Sequence, residues 1–112
     1  MKYLMFVATD TEPDTSTAPE TDIDDWGAEV TKGNRWIIGD RLRPPSDAVT
    51  VRVRSGELLV TDGPFTESKE WICGFDVLEC ADLDEAIELA SKHPQARGGR
   101  IELRPFWPLD EG

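Results

Sequence analysis

The centre of the chain alternates apolar and polar residues with a period of two. The apolar positions are three valines (Val49, Val51 and Val53), and threonine or arginine stands between them. This alternation predicts a half-buried β-strand, because successive side chains of a strand point to opposite faces. Ser55-Gly56 supplies a turn, and residues 57–61 return as the partner strand of a hairpin. A central hairpin limits the fold, since the flanking halves must provide the rest of the sheet.

A strand, a helix and a second strand are predicted before the hairpin. Residues 2–9 are apolar and rich in aromatic and branched side chains, which indicates a buried first strand. A helix is predicted from Pro19 or Glu20 to Lys32, because Ile23, Trp26 and Val30 recur at helical spacing and Gly33 can end the helix. Residues 36–39 form the second predicted strand.

The same order follows the hairpin. Residues 71–79 predict a strand, in which Gly74 indicates a bulge or the close approach of another backbone. Asp82 and Glu85 have the spacing of a helix capping box, and Pro94 ends that helix. Its predicted apolar stripe comprises Leu83, Ala86, Ile87 and Ala90. A turn over residues 97–99 leads into a last alternating strand that ends at Pro105.

The predicted order is β-α-β-(hairpin)-β-α-β, an α+β fold of the ferredoxin-like kind. It has a mainly antiparallel sheet with the helices on one face. The 112 residues suffice for one domain, over residues 1–108, followed by a frayed tail over 109–112. No third layer is predicted to cover the other face of the sheet. We therefore expect a homodimer, in which a second copy buries that face.

Acidic residues dominate the chain: 23 Asp and Glu face 12 Lys and Arg, for a formal net charge of -11. This charge argues against nucleic acid and against anionic membranes as partners. Bases outnumber acids from Lys32 to Arg54. That excess indicates either solvated strand faces, which we favour, or a cationic ligand site. The sequence has neither a signal-peptide pattern nor a run of the ~20 apolar residues that a membrane span needs, so a cytoplasmic location is expected.

The two cysteines are predicted to remain reduced. Cys73 and Cys80 fall in one strand, roughly 23 Å apart if it is extended, and their odd spacing predicts opposite faces. A disulfide needs Cα atoms within about 7 Å. The chain also lacks zinc-ligand spacing, a phosphate-binding glycine loop and a dinucleotide fingerprint, so no metal or cofactor is expected.

The loop after the hairpin carries a distinctive motif. Residues 62–70 read Asp-Gly-Pro-Phe-Thr-Glu-Ser-Lys-Glu. This stretch resembles the DGPF-x-E-x-K-E signature of the DGPF branch of the YCII-related family, and the late run over 96–105 resembles that family's closing strand. The resemblance implies a dimeric α+β barrel and a biochemical role that is largely unsettled. One branch of the family is thought to use a His-Asp pair with the histidine on the first helix, but this sequence has no histidine there.

The motif gives the predicted ligand-binding residues. They are Asp62, Gly63, Pro64, Phe65, Glu67, Lys69 and Glu70. Asp62 and Gly63 suit a turn, which we favour, or the lining of a pocket with Phe65 as its apolar wall. Glu67 and Lys69 share a strand face if the strand has begun, and they are either solvated charges or an acid–base pair.

Asp40, Asp62 and Lys69 are the catalytic candidates. Asp40 follows the second strand, next to Arg41, and suits either a pocket carboxylate or a surface ion pair. The single histidine, His93, lies at a predicted helix end, where a structural role is favoured over catalysis. The four tryptophans, Trp26, Trp36, Trp71 and Trp107, indicate core and dimer packing, with an aromatic-lined pocket as the alternative.

Two functional hypotheses follow. The first is a cofactor-free enzyme that transfers protons, isomerase or lyase-like, on a small organic acid, an analogy drawn from dimeric α+β barrels. The second is a non-catalytic ligand-binding or regulatory module, because proteins of the DGPF type are often associated with sigma-factor-dependent transcription. A third reading, a dimer without a ligand, remains if no small molecule binds.

Overall fold

A computed structural model describes residues 1–16, 22–64 and 70–111 of the chain. Its strands are β1 (Lys2–Thr9), β2 (Trp36–Arg41), β3 (Val49–Arg54), β4 (Glu57–Asp62), β5 (Ile72–Glu79) and β6 (Gly99–Pro105). Its α-helices are α1 (Ile23–Thr31), α2 (Leu83–Ser91) and α3 (Gln95–Gly98). Short 3-10 turns occupy Pro45–Asp47 and Leu109–Glu111.

Four of the strands form one sheet in the order β2-β5-β1-β6, and every neighbouring pair is antiparallel. Strands β3 and β4 form a separate two-stranded sheet. This confirms the predicted α+β, ferredoxin-like order. The register of β1 against β5 shifts between Val7 and Ala8, and a Cβ on Gly74 would lie 3.0 Å from the Asp40 carbonyl oxygen. The predicted irregularity at Gly74 is therefore confirmed.

The core lies on one face of the four-stranded sheet. Tyr3, Met5 and Val7 of β1 are at most 7% exposed and pack with the buried residues of α1 and α2. The alternate residues of β1 and β5 (Leu4, Phe6, Phe75 and Val77) are only half-buried, and beside them Ile38 and Ile72 are exposed. We call this second surface the open sheet face. The guanidinium of Arg104 lies 5.5 Å from the Phe6 ring centroid on it.

Side-chain caps begin both longer helices. Asp22 accepts a hydrogen bond from the Asp24 N–H and starts α1, whereas the predicted start at Pro19 or Glu20 falls outside the described residues. Asp82 accepts from the Glu85 N–H, as the capping box predicts. The stripe predicted for α2 was partly wrong. Its buried residues are Ala86, Leu89 and Ala90, whereas Leu83 and Ile87 are about half exposed, because Leu89 continues the face that Ala86 begins.

Three local predictions need correction. Residues 95–98 form a helical turn because Pro94 has helical angles and can begin one. The residue with positive φ after α1 is Asn34, at 54°, and not Gly33. Cys73 and Cys80 both pack on the core face, since the register shift next to Gly74 breaks the alternation of β5. Both thiols are free, as predicted.

The β3–β4 hairpin, here called the arm, exposes the face that carries its valines. Five of its apolar residues are between 57% and 64% exposed, namely Val49, Val51, Val53, Leu58 and Val60, whereas Leu59 on the opposite face is half-buried. The prediction of a half-buried strand was therefore wrong about the burial of its valines, whereas the predicted hairpin is confirmed, since Val51 pairs with Val60 and Val53 with Leu58. The turn at the tip has positive φ at Ser55 and Gly56, as tight hairpins require.

Candidate functional site

A cavity of about 760 Å³ lies on the helix-covered side of the sheet, where α1 faces the β2–β5 edge. Its walls come from α1, from the second half of β2, from β5, and from the segment that follows α2. Trp26, Val30 and Trp36 supply much of its apolar surface. Gly27 contributes to the space, because a Cβ placed on it would meet no atom within 4 Å. A largely apolar cavity with a few polar groups is typical of small-molecule sites.

Asp76 supplies a carboxylate to this cavity. It stands in β5 opposite Met5 of β1 and Gly39 of β2, so its side chain shares the helix-covered face. The indole N–H of Trp36 donates a hydrogen bond of 2.9 Å to its Oδ1. Burial raises the pKa of Asp76 above the usual 3.8, and the Trp36 hydrogen bond opposes that rise only in part. The carboxylate is therefore a stronger base than an ordinary aspartate.

Gly39 makes the position of Asp76 possible. A Cβ on Gly39 would overlap Asp76 Oδ1 and lie 2.7 Å from the Phe75 carbonyl oxygen. A larger residue at this place in β2 would push the carboxylate out of its hydrogen bond with Trp36. The glycine thus acts on the site by leaving space above the backbone of an edge strand.

His93 lies in the wall formed by the segment after α2. It is 9% exposed, and its ring packs edge-on against Trp26 with ring centroids 4.8 Å apart. Its Nδ1 accepts the Gln95 N–H at 3.0 Å, so the neutral imidazole carries its proton on Nε2. Burial lowers the pKa of His93 below 6.5, which keeps the ring neutral at physiological pH. Within the described part of the chain, Nε2 has no hydrogen-bond partner, and this residue lines the cavity.

Arg41 and Asp40 line the cavity at the end of β2. Arg41 pairs with Gly74 and so shares the helix-covered face, whereas Asp40 pairs with Phe75 of the open sheet face. The Asp40 carboxylate accepts the Arg41 backbone N–H at 2.9 Å. Among the cavity-lining residues that the structure describes, Arg41 alone has a permanent cation. Its exposed guanidinium can pair with an anionic group of a ligand.

The described residues of the signature motif do not lie together in one site. Of the catalytic candidates, Asp40 lines the cavity, Asp62 ends β4 and is exposed, and Lys69 lies outside the described residues, as do Phe65 and Glu67. Gly63 has φ of 103° and its N–H donates to the Ala48 carbonyl. Pro64 is exposed.

Glu70, the last residue of the motif, is half-buried and forms an ion pair with Arg100 at 3.0 Å. The structure does not bring Asp40 and Asp62 into one cavity wall.

Asp76 was not among the predicted site residues, and for His93 a structural role was favoured over catalysis. One signal was available for Asp76. It is a carboxylate inside the apolar run of β5, at the same parity as Gly74 and the fully buried Leu78. A charged side chain at a core-facing strand position is expensive to bury without a reason. For His93 the signal was absent, because its contact with Trp26 joins residues 67 positions apart.

The described residues form neither a cluster of metal ligands nor a membrane-spanning helix. Over residues 1–16, 22–64 and 70–111, no three His, Cys, Asp or Glu side chains are grouped as metal ligands. The same ranges contain no helix that is long and apolar enough to cross a membrane.

The fold and the cavity define a class: small α+β proteins of ferredoxin-like topology with a pocket between the first helix and the sheet edge. The chain matches the family model described as "YCII-related domain" over residues 1–110, and it therefore belongs to the YCII-related family. It is also 45% identical over 68 residues to "Uncharacterized protein R00369" of Rhizobium meliloti (strain 1021). That alignment covers 59% of this chain and 55% of the relative, so the chain matches about half of the relative's length.

Proposed function

We propose that this chain binds a small organic acid in the cavity beside α1 and transfers a proton on it, in isomerase or lyase-like chemistry without a cofactor. The observation that carries the proposal is the pairing of two titratable groups in one apolar cavity. Burial raises the pKa of Asp76 and lowers that of His93, so the cavity holds a carboxylate of increased basicity beside an imidazole that stays neutral. Groups shifted in this way are suited to acid–base work.

Each residue has a separate role in this proposal. Asp76 accepts a proton from a carbon next to a carbonyl of the substrate, and the electron pair of that C–H bond moves to the carbonyl oxygen. His93 donates a hydrogen bond from Nε2 to the resulting enolate oxygen. Return of the proton to another atom completes an isomerisation, and loss of a neighbouring leaving group completes an elimination. Arg41 holds the carboxylate of the substrate at the end of β2.

Solvent deuterium exchange tests the proposal without knowledge of the product. A panel of small 2-oxo and aryl carboxylates is incubated with the protein in D₂O, and loss of C–H signals is followed by proton NMR. We expect catalysed exchange in at least one compound, and Asp76→Asn should slow it by about 10²–10⁴-fold. The effect of Asp40→Asn on exchange shows whether Asp40, and not Asp76, is the base. Asp47→Asn, at an exposed ion pair with Arg43, serves as the matched control.

One outcome would contradict proton transfer, and a second would assign the base to a different residue. Carboxylates that bind in a thermal-shift assay without any exchange would favour the alternative, a non-catalytic ligand-binding or regulatory module linked to sigma-factor-dependent transcription. Exchange that Asp76→Asn leaves unchanged and Asp40→Asn removes would move the base to Asp40.

The proposal includes a homodimer that covers the open sheet face. Half-buried Leu4, Phe6, Phe75 and Val77 and exposed Ile38 support it, because a sheet face of this composition is normally packed. Sedimentation velocity over a range of concentrations tests it. A single species of monomer mass at every concentration would contradict the dimer and leave the cavity chemistry untouched.

A cytoplasmic location also belongs to the proposal. Free thiols at Cys73 and Cys80 support it, since reducing compartments keep cysteines in this state.

A further inference from the structure

One stripe of α1 forms the helix wall of the cavity. Its lining residues recur at i, i+3, i+4, i+7 and i+8, which places them on a single face of the helix: Ile23, Trp26, Gly27, Val30 and Thr31. Gly27 stands in the middle of this stripe, about one turn from Ile23 and from Thr31. Because it has no side chain, the helix wall has a gap at its centre. We call this gap the notch.

Three described glycines line the cavity, and the one in α1 differs from the two in the sheet. A Cβ on Gly39 would overlap the Asp76 carboxylate. A Cβ on Gly74 would lie 3.0 Å from the Asp40 carbonyl oxygen, so the close approach of β2 and β5 favours glycine at both positions. A Cβ on Gly27 would meet no atom within 4 Å, and its φ is not positive. Neither packing nor backbone conformation therefore requires a glycine in α1.

The notch weakens the fold. A glycine inside a helix loses more backbone freedom on folding than an alanine does, and α1 has only nine residues over which helix formation can be favoured. The empty space beside Gly27 also leaves the surrounding side chains without van der Waals partners on that side. A ligand group that filled the notch would restore these contacts.

The two walls of the cavity differ in polarity. The sheet wall carries Asp76 of β5 and Arg41 of β2, which share the helix-covered face. The helix wall is apolar apart from the Trp26 indole and the Thr31 hydroxyl, and both of these donate hydrogen bonds to backbone carbonyls of the chain. A ligand that contacts both walls is therefore charged at one end and apolar at the other.

The volume of the cavity exceeds what a very small acid can fill. Its 760 Å³ falls within the range of roughly 300–1,000 Å³ that is typical of sites for drug-sized ligands. An acid of only a few carbons, bound between Arg41 and Asp76, would leave most of this space to water. A ring or a branched chain on the same acid would displace that water from apolar surface, which favours binding.

We propose that the substrate is a monocarboxylate with a bulky apolar substituent, and that Gly27 is the specificity-determining residue that admits this substituent. The carboxylate pairs with Arg41 and the reacting carbon lies at Asp76, while an aryl ring or a branched alkyl chain fills the notch. The roles of Arg41 and Asp76 rest on the proposed function, whereas size selection at Gly27 is a property of binding alone.

Two acids with the same headgroup test the size selection. Pyruvate has a methyl group where benzoylformate has a phenyl ring, and benzoylformate has no hydrogen on the carbon next to its carbonyl, so it binds without reacting. In isothermal titration calorimetry, wild type should bind benzoylformate at least about tenfold more tightly than pyruvate. Gly27→Val should weaken benzoylformate binding by at least about tenfold and change pyruvate binding by less than about threefold, because only the ring occupies the notch.

The next residue of α1 gives a matched control. Ala28 is exposed and does not line the cavity. Ala28→Val places the same side chain one position away and should change both dissociation constants by less than about twofold. Gly27→Ala separates binding from folding, because it should raise the melting temperature of the free protein and still weaken benzoylformate binding.

Failure of the notch can be distinguished from failure of the proposed chemistry. Equal affinity of wild type for the two acids, or benzoylformate binding that Gly27→Val and Gly27→Ala leave unchanged, would overturn the role of Gly27 even if deuterium exchange into pyruvate is observed. Size-selective binding without exchange into any acid would leave the notch intact and remove the proton transfer. Absence of binding by both acids would overturn the notch and the carboxylate site together.

Discussion

Strand β1 is apolar almost throughout and strand β3 of the arm alternates apolar and polar residues, and their apolar side chains differ in burial. Tyr3, Met5 and Val7 of β1 are at most 7% exposed, whereas Val49, Val51 and Val53 of β3 are at least 58% exposed. The helices of the chain cover β1, and no described element covers the arm face. A period of two therefore shows which face of a strand requires burial, but it does not show whether the cover belongs to the same chain.

The largest expected difference between body and arm concerns two leucines. Leu78 of β5 is fully buried and Leu58 of β4 is 64% exposed. Leu78→Ala should lower the free energy of unfolding by about 3 kcal/mol, because it leaves a cavity in the core. Leu58→Ala should cost less than about 0.5 kcal/mol in dilute, monomeric protein. Urea unfolding measures both. A large cost of Leu58→Ala in the monomer would show that the arm is packed within its own chain.

A second comparison uses two glycines that line the cavity. Gly39→Ala should destabilise the protein by about 1–3 kcal/mol, since the new methyl group overlaps Asp76 and the Phe75 backbone. Gly27→Ala in α1 should stabilise it by about 0.5–1 kcal/mol, because alanine favours the helix and the space is empty. Thermal unfolding tests both. Equal effects of the two substitutions would contradict the described position of the Asp76 carboxylate.

The buried histidine should make the free energy of unfolding depend on pH, with a smaller effect than that of the two glycine substitutions. The folded protein favours neutral His93, so its folded pKa lies below the 6.5 of the unfolded chain. The unfolded state then binds more protons as pH falls through 6.5, and wild type should lose stability relative to His93→Gln. Above 6.5 the difference should be constant. Urea unfolding at intervals from pH 8 to pH 5 measures it, and a flat difference would show that the ring is solvated.

For Asp76, the difference in unfolding free energy between wild type and variant should change with pH in the opposite direction. Its folded pKa is raised above 3.8, so the folded state binds more protons than the unfolded state as pH rises from that value. Wild type should therefore lose stability relative to Asp76→Asn with rising pH, until the raised pKa has been passed. Urea unfolding of both proteins, with the pH range extended below 3.8, checks it. A slope of the same sign as that of His93 would contradict the burial of this carboxylate.

The order of the elements could be predicted from sequence because it depends on local patterns. Helical spacing around Trp26 and the capping residue Asp82 identified α1 and α2, and alternation identified β3 and β6. The cavity could not be predicted in this way. It depends on Trp36 reaching Asp76 across 40 positions and on a glycine whose role is to leave space for that carboxylate. The exposure of the arm could not be predicted from sequence either, because burial depends on which elements pack together in three dimensions.

Hydrogen bonds at the base of the arm have a mechanical consequence. The Gly63 N–H donates to the Ala48 carbonyl, and the Thr50 hydroxyl donates to the Gly63 carbonyl, each at 2.7 Å. These hydrogen bonds hold the first strand of the arm to the residue that follows its second strand, at the base of the hairpin. The strands of the arm are roughly 20 Å long. A rotation of about 5° at their base would therefore displace the Ser55-Gly56 turn by about 2 Å. The backbone conformation of the Asp-Gly-Pro step thus determines the direction of the hairpin, and a small change in it displaces the Ser55-Gly56 turn by a larger distance.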